Sequence, residues 1–493
     1  HCIPNGEGVI KNGIFSDRLR RPVPVLMDKG VAALAAFMGI VYAGCFYVLL
    51  NPDLPQERLK IMLTVMSPDM IITDQKNFVK AMNLADRQTV LRIEELRCYE
   101  VSDADKEALG QIRGNVIDTD PLYANFTSGS TGVPKGVLVS HRSVIDFIDQ
   151  FTGLFEITKN DVIANQAPFD FDVSVKDIYS ALKTGAKLVI VEKGLFSKPT
   201  ELLDCLCDKC VTVMTWAVSA LCLITTFHAL DYRVPTTVKK VLFSGEVMPW
   251  KHLQEWLAHL PDALFVNLYG PTEITCNCVY HIVDRNRNYE NGIPIGRAFP
   301  NERVFLLDGD DHIISPGDEP AEMGVGEAPT GKGSRFVGEI CVAGTALALG
   351  YYNGPEETGK VFVKNPANAM YDERIYRTGD LAYYDENGDL MFAGRKDFQI
   401  KHMGHRIELE EIERYMMALD GIDRCCCIFD DKKSRLTGFY VGECESKKLH
   451  ELLSAKLPIF MVPGALRPLK EMPVTKNGKI DRKLLSELAR NRK

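Results

Sequence analysis

The sequence lacks the features that mark several large classes of protein. Its 493 residues carry a net charge of −8, so it lacks the basic excess of proteins that bind nucleic acid or anionic membranes. We find no internal repeat, and no secretion signal accompanies the 14 cysteines. These absences argue against a repeat array and a disulfide scaffold, and they favour a reducing, cytosolic setting.

Zinc-like cysteine spacing is also missing. Cys205, Cys207 and Cys210 lie close together, but no second pair accompanies them, and they fall on a helical pattern from Glu201 to Lys209. We expect buried thiols here and no metal.

Long apolar runs are rare too. Val31 to Leu50 contains no charged residue and has the length of a membrane span. Small residues fill its first part, Gly39 and Gly44 interrupt it, and Cys45 to Leu50 is strand-like. The pattern predicts a buried helix followed by a buried strand.

What is present is the composition of a globular protein of two or three domains, with 46% hydrophobic residues. Short apolar runs alternate with helical patterns such as Ser174 to Leu182 and Pro249 to Leu260, which predicts parallel sheets covered on both faces. The predicted strands are Val23–Met27, Met70–Thr73, Lys187–Val191, Val211–Met214, Lys240–Phe243 and Ala263–Asn267.

The second half of the sequence has a different pattern of residues. After about Gly292, strands with Gly, Asp and Asn turns indicate a β-rich subdomain, in which Pro316 to Phe336 reads as an exposed loop. From about Phe398 a smaller α+β unit begins, with helices predicted at Glu408–Ala418 and Lys483–Arg492.

The strongest chemical signal is Phe126-Thr-Ser-Gly-Ser-Thr-Gly-Val-Pro-Lys-Gly-Val137. Alternating hydroxyls and glycines let backbone N–H groups approach an anion, and Lys135 adds a positive charge. The loop is not a Walker A motif, because Gly136 follows Lys135 where Ser or Thr would be required. We predict a phosphate-binding loop.

This loop resembles that of the adenylate-forming superfamily, which includes acyl-CoA synthetases, luciferases and peptide-synthetase adenylation domains. Further motifs of that superfamily follow in order across nearly the whole chain. They are Asn267-Leu-Tyr-Gly-Pro-Thr-Glu273, Gly338-Glu-Ile-Cys-Val-Ala-Gly344, Tyr376-Arg-Thr-Gly-Asp380, Gly394-Arg-Lys-Asp397 and Asn477-Gly-Lys-Ile-Asp-Arg482.

The resemblance implies a fold and two domains. The expected α/β fold has a large N-terminal domain of stacked parallel-type sheets (1–397, with a β-rich subdomain at about 292–397). A small mobile α+β domain (398–493) would carry the catalytic lysine. The domains would rotate about a hinge at Asp397 between two half-reactions. Such proteins usually have some tens of residues more before the equivalent of Arg21, so the chain is either truncated or unusual there.

The resemblance also implies roles for individual residues in the attack of a carboxylate on the α-phosphorus of ATP. Lys479 would bridge the carboxylate and the α-phosphate, and Glu273 would bind Mg²⁺. The phosphate contacts would come from Thr127, Ser128, Gly129, Ser130, Thr131, Gly132, Lys135 and Thr272. Adenosine would be held by Gly245, Glu246, Tyr269, Asp380 and Arg395.

The segment Phe171 to Tyr179 resembles the wall of an amino-acid pocket. Asp172 matches the aspartate that pairs with the α-ammonium group, although a helix N-cap would also explain it, and Asp170 stands close by. Lys176 either pairs with a second substrate carboxylate or, as we favour, simply neighbours Asp172 or the exposed Asp177. The predicted substrate-binding residues are Asp172, Val173, Lys176, Phe243, Ser244 and Leu268.

The subgroup stays open at this point. Gly394 to Lys401 and Arg406 to Glu413 look like stand-alone D-alanine:carrier-protein ligases, but Ser244 replaces that subgroup's usual cysteine. We expect an amino-acid ligase of that type or of peptide-synthetase type, with a separate phosphopantetheinylated carrier protein as partner. An acyl-CoA ligase and a non-catalytic nucleotide-binding or amino-acid-binding relative are the alternatives.

Overall fold

A computed structural model describes residues 19–129, 133–318, 336–430, 433–475 and 480–490. Numbered in chain order, its strands are β1 Pro22–Leu26, β2 Phe46–Leu50, β3 Met70–Thr73, β4 Thr89–Arg92, β5 Pro121–Thr127, β6 Lys135–Ser140, β7 Val162–Asn165, β8 Lys187–Ile190, β9 Val213–Ala217, β10 Lys240–Ser244, β11 Leu264–Tyr269, β12 Val279–Ile282, β13 Arg297–Ala298, β14 Glu302–Leu307, β15 Ile313–Ile314, β16 Gly338–Gly344, β17 Gly350–Tyr351, β18 Phe362–Lys364, β19 Arg374–Tyr384, β20 Leu390–Arg395, β21 Gln399–His402, β22 His405–Glu408, β23 Ile422–Asp430, β24 Arg435–Gly442 and β25 Ala465–Pro468.

The helices, again in chain order, are α1 Val31–Tyr42, α2 Gln56–Met66, α3 Phe78–Leu84, α4 Ile93–Arg97, α5 Asp103–Asn115, α6 His141–Leu154, α7 Val173–Thr184, α8 Pro199–Asp208, α9 Val218–Thr226, α10 Trp250–His259, α11 Pro355–Val361, α12 Leu409–Met417, α13 Ser446–Lys456 and α14 Arg482–Arg490.

Two seven-stranded sheets form the larger part of the molecule. Their orders are β17-β6-β5-β2-β1-β3-β4 and β13-β12-β11-β10-β9-β7-β8. The central strands of each run parallel, while β6, β17, β12 and β13 add antiparallel edges. One hydrophobic core joins the two sheets, with Val25 of β1, Phe151 of α6, Ile178 of α7 and Val266 of β11 among its members. The α/β prediction of stacked, mainly parallel sheets is confirmed.

The β-rich region after Gly292 forms a separate antiparallel sheet in the order β15-β14-β16-β19-β18, with β20 beside β19. The predicted loop Pro316 to Phe336 falls mostly outside the described residues. The predicted domain boundary near Phe398 falls between β20 and β21. Beyond it, a two-stranded sheet (β21 and β22) and a three-stranded sheet (β23, β24 and β25) pack with α12, α13 and α14.

The apolar run from Val31 to Leu50 is divided as predicted, into α1 and the fully buried strand β2. In the part of the chain that the structure describes, no helix is long and apolar enough to cross a membrane. The predicted burial of the cysteine cluster is wrong, because Cys205 and Cys207 are half-buried and Cys210 is exposed. Cys210 lies two residues after the end of α8, outside the part of the helix that packs against the core through Leu202, Leu203 and Leu206. No group of His, Cys, Asp or Glu side chains that could hold a metal ion is found among the described residues.

Candidate active site

A cavity opens where the carboxyl ends of β5, β10 and β11 face the hairpin of β21 and β22. This is the edge of a parallel sheet at which α/β proteins bind ligands. Its walls include Asn125, Thr127, Ser128, Asp172, Val173, Ser244, Gly245, Thr272, Asp380, Arg395, Lys401, His405 and Arg406. The sequence motifs that lie far apart in the chain therefore meet in one place.

The predicted ribose acceptor Asp380 is buried in β19, directly opposite Arg395 of β20 in the strand register. One carboxylate oxygen accepts a hydrogen bond from Arg395, and the other accepts one from the Tyr269 hydroxyl. Burial and the Asp380 charge raise the pKa of Tyr269 well above its usual range, so the phenol stays a donor. Each Asp380 oxygen keeps a second lone pair for a further donor such as a ribose hydroxyl.

Glu273 follows β11 in a short 3₁₀ turn, and only 1% of its surface is exposed. The Arg406 guanidinium lies 2.8 and 3.0 Å from its two carboxylate oxygens, and the Tyr351 hydroxyl donates to it at 2.7 Å. Burial raises the pKa of Glu273, but Arg406 and the tyrosine hydroxyls outweigh this and leave the pKa lowered. The group is therefore an ionised, buried carboxylate of the kind that binds Mg²⁺, but in this arrangement Arg406 occupies both of its oxygens.

The phosphate loop connects the antiparallel strands β5 and β6, in which Thr127 pairs with Lys135. Ser130, Thr131 and Gly132 lie outside the described residues. A side chain at Gly129 would meet the Val133 carbonyl oxygen at 2.2 Å, so this position requires glycine. The Ser128 hydroxyl donates to the Arg406 carbonyl at 2.7 Å, and the Lys135 ammonium lies 5.2 Å from the centre of the Tyr351 ring.

Asp172 lies immediately before α7 and lines the cavity. Its side chain makes no N-cap hydrogen bond, so helix capping does not explain its position. Burial raises its pKa, opposed by the Thr272 hydroxyl and the charge of Lys176. Asp170 also lines the cavity, and burial raises its pKa to about 6. A carboxylate held in this way is suited to receiving a cationic group of a ligand.

Lys176 is not where we expected it. We favoured an intrahelical neighbour of Asp172 or an exposed neighbour of Asp177, but only 1% of Lys176 and none of Asp177 is exposed. The Lys176 ammonium donates to the Asn277 side-chain oxygen at 2.7 Å and reaches the Ser244 hydroxyl at 3.5 Å. The predicted exposed pairing with Asp177 is wrong, because this part of α7 is buried against the core that joins the two sheets. The neighbour effect between Asp172 and Lys176 is not contradicted, since their charges interact.

Two further pocket residues are placed differently from the prediction. Phe243 and Ser244 are consecutive in β10, so their side chains point to opposite faces. Ser244 lines the cavity with Val173, whereas Phe243 packs in a second core with Trp216 and Trp256. Leu268 is buried in the core between the sheets and is not part of the cavity wall.

Gly245 continues β10 into the cavity wall with a φ of +98°, a left-handed conformation that favours glycine. The adjacent Glu246 accepts a hydrogen bond from the Gly404 N–H at 2.8 Å. Gly404 and Met403 form the turn between β21 and β22, and both have positive φ, as in a tight hairpin. Glu246 thus holds the tip of the hairpin against the N-terminal part of the molecule.

The predicted hinge residue Asp397 is exposed between β20 and β21 and accepts hydrogen bonds from Arg395 at 2.6 and 2.8 Å. The predicted catalytic Lys479 lies outside the described residues. Near it, Val474 and Ile480 form a β-bridge, and no described residue after Met461 lines the cavity. The hairpin of β21 and β22 faces the cavity.

Our sequence reasoning missed the hairpin. Lys401, His405 and Arg406 line the cavity, and the Lys401 ammonium lies 5.4 Å from the centre of the Tyr269 ring. His405 stacks on Phe460 with 3.4 Å between ring centres. The signal was available in Lys401-His-Met-Gly-His-Arg406, where basic side chains flank a turn that contains glycine.

A second ion pair links the two parts of the molecule, and its arginine, Arg58, also lines the cavity. Arg58 of α2 pairs with Glu411 of α12 at 2.6 Å, with 9% and 0% of the side chains exposed. Together with the pair of Arg406 and Glu273, this contact closes the C-terminal part over the sheets.

Comparison with known proteins places this geometry in context. The sequence profile of AMP-binding enzymes matches residues 17–352. Zwittermicin A synthase ZmaJ of Bacillus cereus is 31% identical over 478 residues, which are 94% of this chain and 85% of ZmaJ. Bacitracin synthase 1 of Bacillus licheniformis is 32% identical over 469 residues, but the chain spans only 8% of its length.

The fold also matches solved structures. The Vibrio cholerae adenylation domain AlmE, solved in complex with glycyl-adenosine-5′-phosphate, superposes with a TM-score of 0.81 at 23% identity. The match covers 97% of this chain and 90% of that one.

Proposed function

The chain belongs to the AMP-binding enzyme family, an adenylate-forming family, and on this basis we propose that it activates an amino acid with ATP and passes it to a carrier thiol. In the first step a carboxylate oxygen of the amino acid attacks the α-phosphorus of ATP. A P–O bond forms, the bond to the bridging oxygen breaks, and pyrophosphate leaves with the electron pair. In the second step the thiol of a separate phosphopantetheinylated carrier protein displaces AMP.

The observation that carries the amino-acid assignment is Asp172. Its half-buried carboxylate lines the cavity, caps no helix and makes no ion pair at 4 Å or less with a cation among the described residues. A ligand with an α-ammonium group supplies the missing charge, whereas a fatty or aryl acid does not. The names of ZmaJ and bacitracin synthase 1 favour the peptide-synthetase type over the D-alanine ligase type.

Both reacting groups are anions, so the site must neutralise charge and hold the attacking oxygen in line. We assign the β- and γ-phosphates to the loop from Thr127 to Lys135, the α-phosphate to Thr272 and Lys479, and the ribose to Asp380. Glu273 would hold Mg²⁺, which neutralises phosphate charge when bound.

The arrangement described here suits the second step. The Arg406 guanidinium pairs with the Glu273 carboxylate, and the Arg406 carbonyl accepts a hydrogen bond from the Ser128 hydroxyl. The hairpin therefore covers the predicted phosphate loop. Pyrophosphate and Mg²⁺ would have to leave before this closure. We infer that the segment around Lys479 faces the cavity in the first step and that the hairpin replaces it in the second, by rotation about Asp397.

The test is amino-acid-dependent exchange of pyrophosphate into ATP, measured with all L-amino acids, D-alanine and D-aspartate. We expect exchange with an amino acid and loss of about 30-fold or more in kcat/KM for it in Asp172→Asn, the effect of removing one partner of a buried charge pair. The KM for ATP should change little.

Asp170→Asn is the matched control, because Asp170 lies on the same wall two residues earlier. A larger loss in Asp170→Asn than in Asp172→Asn would overturn the ammonium assignment. Activation of simple carboxylic acids with coenzyme A as acceptor, and of no amino acid, would replace the proposal with an acyl-CoA ligase.

A further inference from the structure

Lys176 is a buried cation whose charge is not matched by the protein around it. Its side chain is 1% exposed, and its ammonium contacts two neutral oxygens, those of Asn277 and Ser244. Among the described residues no carboxylate forms an ion pair with it at 4 Å or less. Lysine is almost never fully buried without a partner, because an unpaired charge is costly to remove from water.

The neighbouring carboxylates are engaged elsewhere. Asp177 follows Lys176 in α7, but its carboxylate accepts hydrogen bonds from Asn165 and Thr215. Asp172 lies one turn earlier and faces the cavity beside Thr272. Burial lowers the pKa of Lys176, while the charges of Asp172 and Asp177 oppose the change. One of the three ammonium donors is left without a described partner.

The position of this ammonium relates it to the ligand cavity. Ser244 and Asn277 both line the cavity, as does Cys276, so the Lys176 ammonium lies directly behind that wall. Four residues of α-helix separate it from Asp172, a rise of about 6 Å along α7. A negative site and a positive site are therefore fixed one helical turn apart on one rigid element.

We propose that the substrate is an amino acid whose side chain carries a carboxylate. The inference rests on the proposed function. The α-ammonium group pairs with Asp172, and the side-chain carboxylate reaches Lys176, where it takes the donor not used by Asn277 and displaces the long contact with Ser244. Alanine or another neutral residue would leave the Lys176 charge uncompensated, so Lys176 is a specificity-determining residue.

The experiment compares each acid with its own amide, since the two differ in charge and hardly in shape. Pyrophosphate exchange is measured with both enantiomers of aspartate, glutamate, asparagine and glutamine. The wild-type protein should prefer an acid over its amide. Lys176→Met should lower kcat/KM for that acid by about 30-fold or more, the loss expected from removing a buried charge pair, with a much smaller change for the amide.

Lys183→Met is the matched control, because Lys183 lies on the same helix and pairs with Asp149 at the surface. It should keep the wild-type preference. Thermal melting shows whether Lys176→Met is folded. Titration with the aminoacyl-sulfamoyl adenosines of glutamate and glutamine, or of aspartate and asparagine, measures the same preference as binding, without turnover.

The outcomes separate this inference from the proposed function. Exchange with neutral amino acids and not with acidic ones would overturn the acidic substrate and leave amino-acid activation standing. A preference for the acid that survives in Lys176→Met would overturn the role of Lys176. Silence with every amino acid would overturn both. If Lys176→Met does not fold, the wild-type ratio of acid to amide still decides the substrate class.

Discussion

The two walls of the cavity are built in different ways. The N-terminal wall carries the carboxylates Asp172 and Asp380, and the buried Glu273 directly follows the wall residue Thr272. The C-terminal wall is mainly the hairpin of β21 and β22, with Phe460 and Met461 beside it, and its cavity-lining side chains include the cations Lys401 and Arg406. The cations of the N-terminal wall, Arg58 and Arg395, are held in ion pairs, whereas Lys401 and Arg406 lie on the wall that we expect to move.

This difference shows how one site could serve two reactions. In the proposed function the fixed wall recognises the amino acid and the ribose, which would remain bound through both steps. The hairpin makes its contacts with the fixed wall largely through charges and hydrogen bonds, such as that of Arg406 with Glu273 and that of Gly404 with Glu246. Such contacts exchange with water, Mg²⁺ or phosphate more readily than a packed apolar interface does.

The largest expected effect is at Lys479, the proposed catalytic residue. Lys479→Ala should lower pyrophosphate exchange by about 100-fold to 1000-fold, because the ammonium that stabilises charge on both reacting groups is lost. Initial rates of exchange at saturating ATP measure the effect. Lys476→Ala, three residues earlier in the same segment, is the control. Equal losses in the two variants would mean that the segment contributes only its general positive charge.

A smaller effect, at Arg406, should distinguish the two half-reactions, which are activation of the amino acid and its transfer to the thiol. Arg406→Ala removes a cation that closes the hairpin over Glu273, so transfer to a pantetheine thiol should fall by about 30-fold, within the cost of breaking a buried ion pair. Exchange should fall much less. The two rates are measured separately with the same preparation, and Arg424→Ala, exposed on β23, is the control. A loss of the same size in both steps would contradict the division between the walls.

The smallest expected effect concerns the buried Asp177 of α7 and the way in which stability depends on pH. Burial raises the pKa of Asp177 to about 7, and hydrogen bonds with Thr215 and Asn165 oppose the change. The folded protein therefore binds more protons than the unfolded chain between about pH 4 and pH 7. The contribution of Asp177 to stability is present below the unfolded pKa and is lost as pH rises through about 7.

Asp177→Asn should remove this dependence, which amounts to at most about 1.4 kcal/mol per pH unit in the free energy of unfolding. Denaturant unfolding from pH 4 to pH 8 measures it, and Asp118→Asn on the surface is the control. A wild-type protein whose stability rose across this range would show that Asp177 is already ionised.

Much of the fold could be predicted because its signals are local. Met70 to Thr73 is apolar and bounded by polar residues, and it forms β3 with the predicted ends. The prediction of Val211 to Met214 was shifted from β9, which begins at Val213, because Val211 is buried in the loop and its apolar side chain carries no sign of pairing. Helix α7 extends beyond the predicted Ser174 to Leu182 by a residue or two at each end.

The site could be predicted only as a set of motifs. The pair of Arg406 and Glu273 joins residues 133 apart in sequence and depends on how the C-terminal part is oriented. We predicted wrongly that Phe243 contacts the substrate. Its two neighbours in β10 are also buried, so the sequence of this strand shows no alternation of apolar and polar residues that would tell which side faces the cavity. The burial of Lys176 gave no local signal, since a lysine on a helix is usually solvated.

The most direct test of the central claim is to identify the product of a single turnover. The protein is mixed with ATP, Mg²⁺ and a pool of amino acids, quenched within one turnover, and analysed by mass spectrometry. The account predicts an aminoacyl-AMP in amounts equal to the enzyme, with pyrophosphate as the other product. Formation of ADP, or of an acyl-AMP only from carboxylic acids that lack an amino group, would contradict it.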